Sequence, residues 1–296
     1  MGYLHRQEFS GTLTQLELIP LLWMSASHVA LLLLGGYPFK LLCNSIPCNL
    51  KTSEWIGISF ISNFLNHVIP YQSGLGFRYL YMRQRFNLSL ATYAQIVFIY
   101  ATLHISIVLA LLLFALFNIR FTIPLKLSEF QLGTLLALVL VSIGLFYKLF
   151  PIWHEKQSEK MRQWLSVLRT HINKPHLIIL SFINLLGSRL AACVAFYWAF
   201  KALHYPISWE ITLLIVCLMS LASLIFITPG NLGITESIAG LVTHYAFKNF
   251  PIGFSAMLIF RATQFVVTAM FSIFFSQGFI KKTLEKQITG KDKDIE

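Results

Sequence analysis

Four ionisable residues stand in stretches of the chain where the surroundings are almost wholly apolar. Arg189 lies near the middle of the apolar run 176–203 and Arg261 near the middle of the run 251–279. Glu236 follows the apolar run 210–228, and Arg78 follows a glycine-bearing turn at 71–76. Ionisable groups at bilayer depth are costly and therefore occupy paired or cavity-facing positions. Polar side chains accompany them at helical spacing. Ser59, Asn63, Asn66 and His67 share one face, and Ser181, Asn184 and Ser188 lead to Arg189. Glu236, Gly240 and His244 follow i, i+4, i+8, and Arg261, Gln264 and Thr268 follow i, i+3, i+7. Each uncharged member taken singly is also what hydrogen bonding between membrane helices produces. Taken together, the stripes predict one polar cavity. Three arginines against one carboxylate leave positive charge over, and a guanidinium grips a phosphate through two parallel hydrogen bonds. A helix beginning near Gly233 would add free N–H groups and a positive dipole end. The expected binding residues are Asn63, His67, Arg78, Arg189, Glu236, Arg261 and Gln264, with an ion pair between Glu236 and Arg261. Glu236 and His244 are the candidate proton carriers of their segment.

The elements that must position these residues are membrane helices. Only 12% of the 296 residues are charged, about half of what a soluble domain carries. Residues 18–39, 55–77, 86–119, 130–147, 211–235 and 262–280 contain no Lys, Arg, Asp or Glu. A helix needs about 20 apolar residues to cross the hydrocarbon core, so six such windows exclude one soluble core. Spans are predicted at 19–42, 88–117, 129–150, 176–203 and 251–279, with shorter apolar pieces at 54–69 and 210–228. The whole chain, 1–296, reads as one transmembrane domain, with a polar N-terminal segment at 1–18 and a polar tail at 280–296. The start does not read as a cleaved signal or a myristoylation site. Residues 151–174 read as a basic loop with amphipathic helical spacing, suited to anionic headgroups. Cys43, Cys48, Cys193 and Cys217 show no ligand spacing and read as small apolar residues. The formal charge of +11 sits in loops beside the spans, so it orients a membrane protein and implies no nucleic acid.

Two segments resemble one another. Residues 54–76 and 211–233 each run apolar into a proline and close on a glycine turn. The first carries Pro70, Gly74 and Gly76, the second Pro229, Gly230 and Gly233. Proline removes an N–H donor and glycine frees the backbone, so both break a helix. Broken backbone at membrane depth survives only where protein or a wet cavity satisfies it, and matched broken segments mark inverted repeats. The fold class expected is an all-α integral membrane protein: an inverted repeat of span, re-entrant hairpin and span, plus one extra helix at 129–150. Lys51, Arg83, Arg85, the basic residues of 151–174 and Lys281, Lys282 and Lys286 then share one side. The other side has Arg6, Arg120, Lys126, Lys201 and Lys248, so the first is cytoplasmic and the N-terminus lies outside. The expected location is the inner or plasma membrane.

These motifs are similar to those of a known family. Pro229-Gly230-Asn231-Leu232-Gly233-Ile234-Thr235-Glu236 resembles the Pro-Gly-Gly-x-Gly-x-x-Glu signature of the lysylphosphatidylglycerol synthase transmembrane-region family. Arg261 resembles its arginine in the following helix, and Asn63, Pro70, Gly74, Gly76 and Arg78 resemble its first motif. Phe77, Ile99, Tyr100 and Asn231 depart from the pattern, and the aminoacyl-transfer domain is not in this sequence. The resemblance implies lipid translocation without a cofactor, the partner being a phospholipid or polyprenyl-phosphate lipid. No nucleotide-binding motif and no acidic cluster appears in the chain, so an enzyme is not expected. The alternative is a non-catalytic membrane partner of a separate lipid or glycosyl transferase.

Overall fold

The computed structural model describes residues 17–46, 48–70, 72–119, 174–223 and 228–291. Its regular structure there is entirely helical. Numbering the described helices in chain order, α1 is Leu18–Asn44, α2 Thr52–Val68, α3 Ser73–Phe86 and α4 Leu90–Ile119. Then come α5 Pro175–Ala202, α6 Trp209–Ala222, a short 3₁₀ turn at Pro229–Asn231, α7 Ile234–Phe247 and α8 Phe250–Lys291. Among the described residues α1, α4, α5 and the stretch Phe250–Gln277 of α8 are long and apolar enough to cross a membrane. The chain is an all-α, multi-pass membrane protein. The expected span 129–150, the loop 151–174 and the segment 1–16 lie outside the described residues.

The first broken segment forms a closed helical hairpin. Glu54 starts α2 by accepting the Lys51 backbone N–H at 3.0 Å. Ile69 ends it in an extended conformation, as the residue before Pro70 must. Along α2 and α3 the partners run in opposite order. Gly74 N–H donates to Asn66 Oδ1 at 2.8 Å, Arg78 Nε donates to Ser62 Oγ at 3.0 Å, and Arg85 Nε lies 3.5 Å from Glu54 Oε1. The hairpin is therefore tied at its tip, along its flank and at its base. Gly74 is required at the tip: a β-carbon there would drive into the Ser62 carbonyl and the Asn66 side chain.

A second hairpin joins α6 to α7. Tyr205 and Phe247 meet at its base with ring centroids 5.7 Å apart, and Asn231 Nδ2 donates to the Ala222 carbonyl at its tip at 3.2 Å. Helix α6 stops at Ala222, earlier than the apolar run to 228 predicts. Ser220 and Ser223 turn their hydroxyls onto the Val216 and Ser220 carbonyls, a competition with the helix ladder that favours an end. Gly230, Asn231 and Gly233 take positive φ of 53, 57 and 85°. Helix α8 differs in the other direction. It continues through the expected tail to Lys291, because the Lys- and Glu-bearing segment after 280 favours helix.

Two packing relations organise these pieces. Helices α1 and α5 lie antiparallel along their whole length. Trp23 stacks on Trp198, Ser188 Oγ donates to the Leu31 carbonyl at 3.0 Å, and Lys174 Nζ donates to the Ser45 carbonyl at 3.4 Å. Their close approach uses Gly35 against Ser188 and Gly187 against Leu34. The second relation crosses between the hairpins: α4 packs on α6 of the second, and α8 packs on α2 of the first as well as on α7 of its own. Phe60 with Phe271, and Phe64 with Phe265, hold the α8–α2 contact. The hairpins touch each other where the first one's tip meets the 3₁₀ turn of the second.

Candidate functional site

Arg261 sits at the meeting point of the two tips. A β-carbon on Gly230 would lie 3.3 Å from Arg261 Nη2, 3.5 Å from His67 Cα and 3.6 Å from the Asn66 carbonyl oxygen. Glycine at 230 thus serves twice: it supplies positive φ and lets three groups converge on its bare backbone. Asn231, the departure from the glycine pattern, is also in the left-handed region, which asparagine enters more readily than other side-chain-bearing residues.

Arg261 Nη1 and Glu236 Oε1 form a direct, charge-assisted contact. The pair is enclosed: the Arg261 side chain is 12% exposed and that of Glu236 2%. Glu236 Oε2 accepts the Gly233 backbone N–H at 2.8 Å and the Thr235 hydroxyl at 3.2 Å. One carboxylate therefore satisfies an orphan donor at the start of α7 and neutralises a guanidinium on α8. Close α7–α8 packing sets this reach, since Gly253 lies against the Ala239 carbonyl and the Thr243 hydroxyl.

The first hairpin completes the cluster. Gln264, one turn beyond Arg261, donates to Asn63 Oδ1 at 3.5 Å and lies beside His67. His67 Nδ1 lies 2.8 Å from the Asn63 carbonyl. A carbonyl only accepts, so Nδ1 carries the proton. His28 of α1 was not singled out in the sequence. Its Nε2 contacts the Phe260 carbonyl at 3.1 Å, its ring meets Phe260 edge-on, and it lies within electrostatic reach of His67. A lone histidine in a charge-free span was the signal available.

The other expected residues are placed apart. Arg78 joins Ser62 and lies over the Phe39 ring, its guanidinium carbon 5.4 Å from the centroid. Ser62 adjoins Asn63 on α2, so Arg78, reaching over from α3, borders the cluster. Arg189 has a different setting. Its Nη1 donates to Ser220 Oγ at 3.0 Å and its Nη2 to Ser188 Oγ at 3.3 Å. Tyr100, His104, Cys193 and Cys217 are its electrostatic neighbours. Among the described residues Arg189 and Arg261 share no direct contact and have different partners. His244 sits in the last turn of α7, exposed and edge-on to Tyr245, away from Glu236 at the helix start. Asn184 is likewise turned outward and bonds the Leu180 carbonyl. A β-carbon on Gly76 would meet nothing within 4 Å.

Among the described residues no group of three His, Cys, Asp or Glu side chains is arranged to hold a metal ion. Compared with known proteins, the family model described as the lysylphosphatidylglycerol synthase TM region matches residues 3–271. No curated protein and no solved structure matches.

Proposed function

The chain belongs to the lysylphosphatidylglycerol synthase TM region family, and from that premise we propose that it binds an anionic lipid headgroup where the hairpin tips meet and passes it between leaflets. The observation that carries this reading is the position of Arg261. A cation paired to one hairpin, with Gln264 of its own helix and His67 and Asn63 of the other hairpin beside it, lies where both helical ladders are broken. A phosphate reaching Arg261 would compete with Glu236 for its guanidinium, and Arg78 on the first hairpin offers a second cation bordering the cluster. The acyl chains would remain in the bilayer.

An inverted arrangement of the two hairpins belongs to the same proposal. Three features support it: the antiparallel α1 and α5, the packing of α4 on α6 and of α8 on α2, and the tip-to-tip contact. Hairpins meeting at their tips at mid-depth have their bases on opposite faces. Each base then opens toward one leaflet, as alternating access requires. The Lys/Arg distribution puts the Glu54–Arg85 base on the cytoplasmic face of an inner or plasma membrane.

The test is reconstitution into liposomes carrying fluorescent phospholipids of different headgroups, with a polyprenyl phosphate as a further substrate. Wild type should accelerate exposure of at least one anionic lipid. Arg261→Ala and Arg78→Ala should remove that acceleration in folded, inserted protein. No lipid moved by wild type, or full movement by both variants, overturns the proposal and leaves a membrane partner of a transferase.

A further inference from the structure

We infer that Arg189 is the centre of a second, separate oxyanion site, enclosed by α4, α5 and α6 and independent of the hairpin-tip pair. The reasoning begins with an imbalance of partners. Arg261 has a carboxylate; Arg189 has none among the described residues and rests on two neutral hydroxyls. Those hydroxyls are already committed as donors. Ser188 Oγ donates to the Leu31 carbonyl and Ser220 Oγ donates to the Val216 carbonyl, so each offers Arg189 only a lone pair. They hold the guanidinium in place and leave its charge uncompensated.

Two nitrogens then stand unused. Arg189 Nε is shielded from solvent and has no hydrogen-bond partner, and the same holds for His104 Nε2 on α4. His104 meets Tyr100 edge-on, and the Tyr100 hydroxyl reaches the Gly35 carbonyl, beside the Ser188 that holds Arg189, so the two residues share one neighbourhood. A buried N–H without an acceptor costs a desolvation penalty that a native fold rarely leaves unanswered. Nε–H belongs to the fork edge with which arginine grips planar or tetrahedral oxyanions, and a histidine N–H is a suitable second donor. Tyr100 is not a third, because its hydroxyl donates to the Gly35 carbonyl at 3.0 Å. A single oxyanion between Arg189 and His104 supplies the missing acceptor and the missing charge together. The chemistry is that of a phosphate oxygen, whether on a lipid headgroup or on free phosphate.

The experiment uses the full chain in nanodiscs. In the first arm the lipid is phosphatidylcholine alone, and radiolabelled inorganic phosphate is titrated in. In the second arm no phosphate is added, and the discs contain a minority of phosphatidylglycerol, whose retention after delipidation is read by mass spectrometry. The inference expects saturable anion binding that depends on Arg189 in at least one arm. Loss of the fork should weaken it by roughly tenfold to a hundredfold in Arg189→Gln, as charged hydrogen bonds are worth. His104→Phe keeps the arginine and its serine partners and should also lose binding, which covers the case in which Arg189→Gln does not fold. The binding that Arg189→Gln removes should be the same on the wild-type and the Arg261→Ala background, so the site is separable from the proposed transport path. Binding in neither arm, or binding kept in full by folded Arg189→Gln or folded His104→Phe, overturns the inference. Lipid movement that fails while this binding persists overturns only the transport reading.

Discussion

Replacing Glu236 by glutamine tests the ion pair with the least change of shape. The wild-type carboxylate uses both oxygens: Oε1 for Arg261, and Oε2 for Gly233 N–H and the Thr235 hydroxyl. Glutamine has one acceptor oxygen and a donor amide. Whichever way the amide turns, an N–H faces either the Arg261 guanidinium or the Gly233 N–H, and the charge is gone. Breaking a buried pair by removing one partner costs about 3–5 kcal/mol. Arg261 keeps some exposure, 12% of its side chain, so the lower end applies. A loss of about 3 kcal/mol lowers the folded-to-unfolded ratio roughly a hundredfold. The assay is reversible unfolding by sodium dodecyl sulfate in mixed micelles, run on Glu236→Gln, Arg261→Met and the double variant. The double variant should cost less than the sum of the singles by more than ~1 kcal/mol, because the second change no longer strands a charge. A cost below ~1 kcal/mol for Glu236→Gln, or strict additivity, would show that the contact contributes little and that the reasoning from burial is wrong.

Glycine substitutions should separate the tips from their surroundings. Gly74→Ala should lower thermal stability by about 1–3 kcal/mol because its β-carbon has no room, whereas Gly76→Ala should be neutral or slightly stabilising. Asn231→Gly should be tolerated within ~1 kcal/mol in the same measurement, and Asn231→Val should cost more, since a β-branched residue resists the left-handed backbone. Reporter fusions after residues 160 and 285 should read cytoplasmic and a fusion after 125 should read external; a cytoplasmic reading at 125 would overturn the topology.

The long spans were legible because length and absence of charge nearly suffice to specify them, and α1, α4 and α5 begin and end within a few residues of the apolar runs. The breaks were legible at Pro70 and at Pro229–Gly233, where proline and glycine act locally. The Glu236–Arg261 pair could be anticipated because each is the deep charge of its own segment. What the sequence could not supply was the relation between segments. That Asn63 and Gln264 meet depends on α8 packing against the opposite hairpin, a contact separated by most of the chain. His28 looks the same in one dimension whether it lines a core or borders a site. Arg189 and Arg261 carry the same charge at the same apparent depth, and only their neighbours distinguish them.

The consecutive glycines of α1 place several contacts side by side. A β-carbon on Gly35 would press on Ser188, one on Gly36 would press on Ser59, and the Gly35 carbonyl receives the Tyr100 hydroxyl. Helices α1, α2, α4 and α5 thus converge within two residues. Ser59 belongs to the first hairpin, and Ser188 holds the Arg189 guanidinium. A sideways movement of that hairpin must be absorbed at Gly36, and the adjoining peptide is the one against which Ser188 and Tyr100 rest. The flank of the hairpin and the serine that holds Arg189 therefore rest against adjoining peptides of one helix, and a larger side chain at either glycine would press on the neighbour it faces.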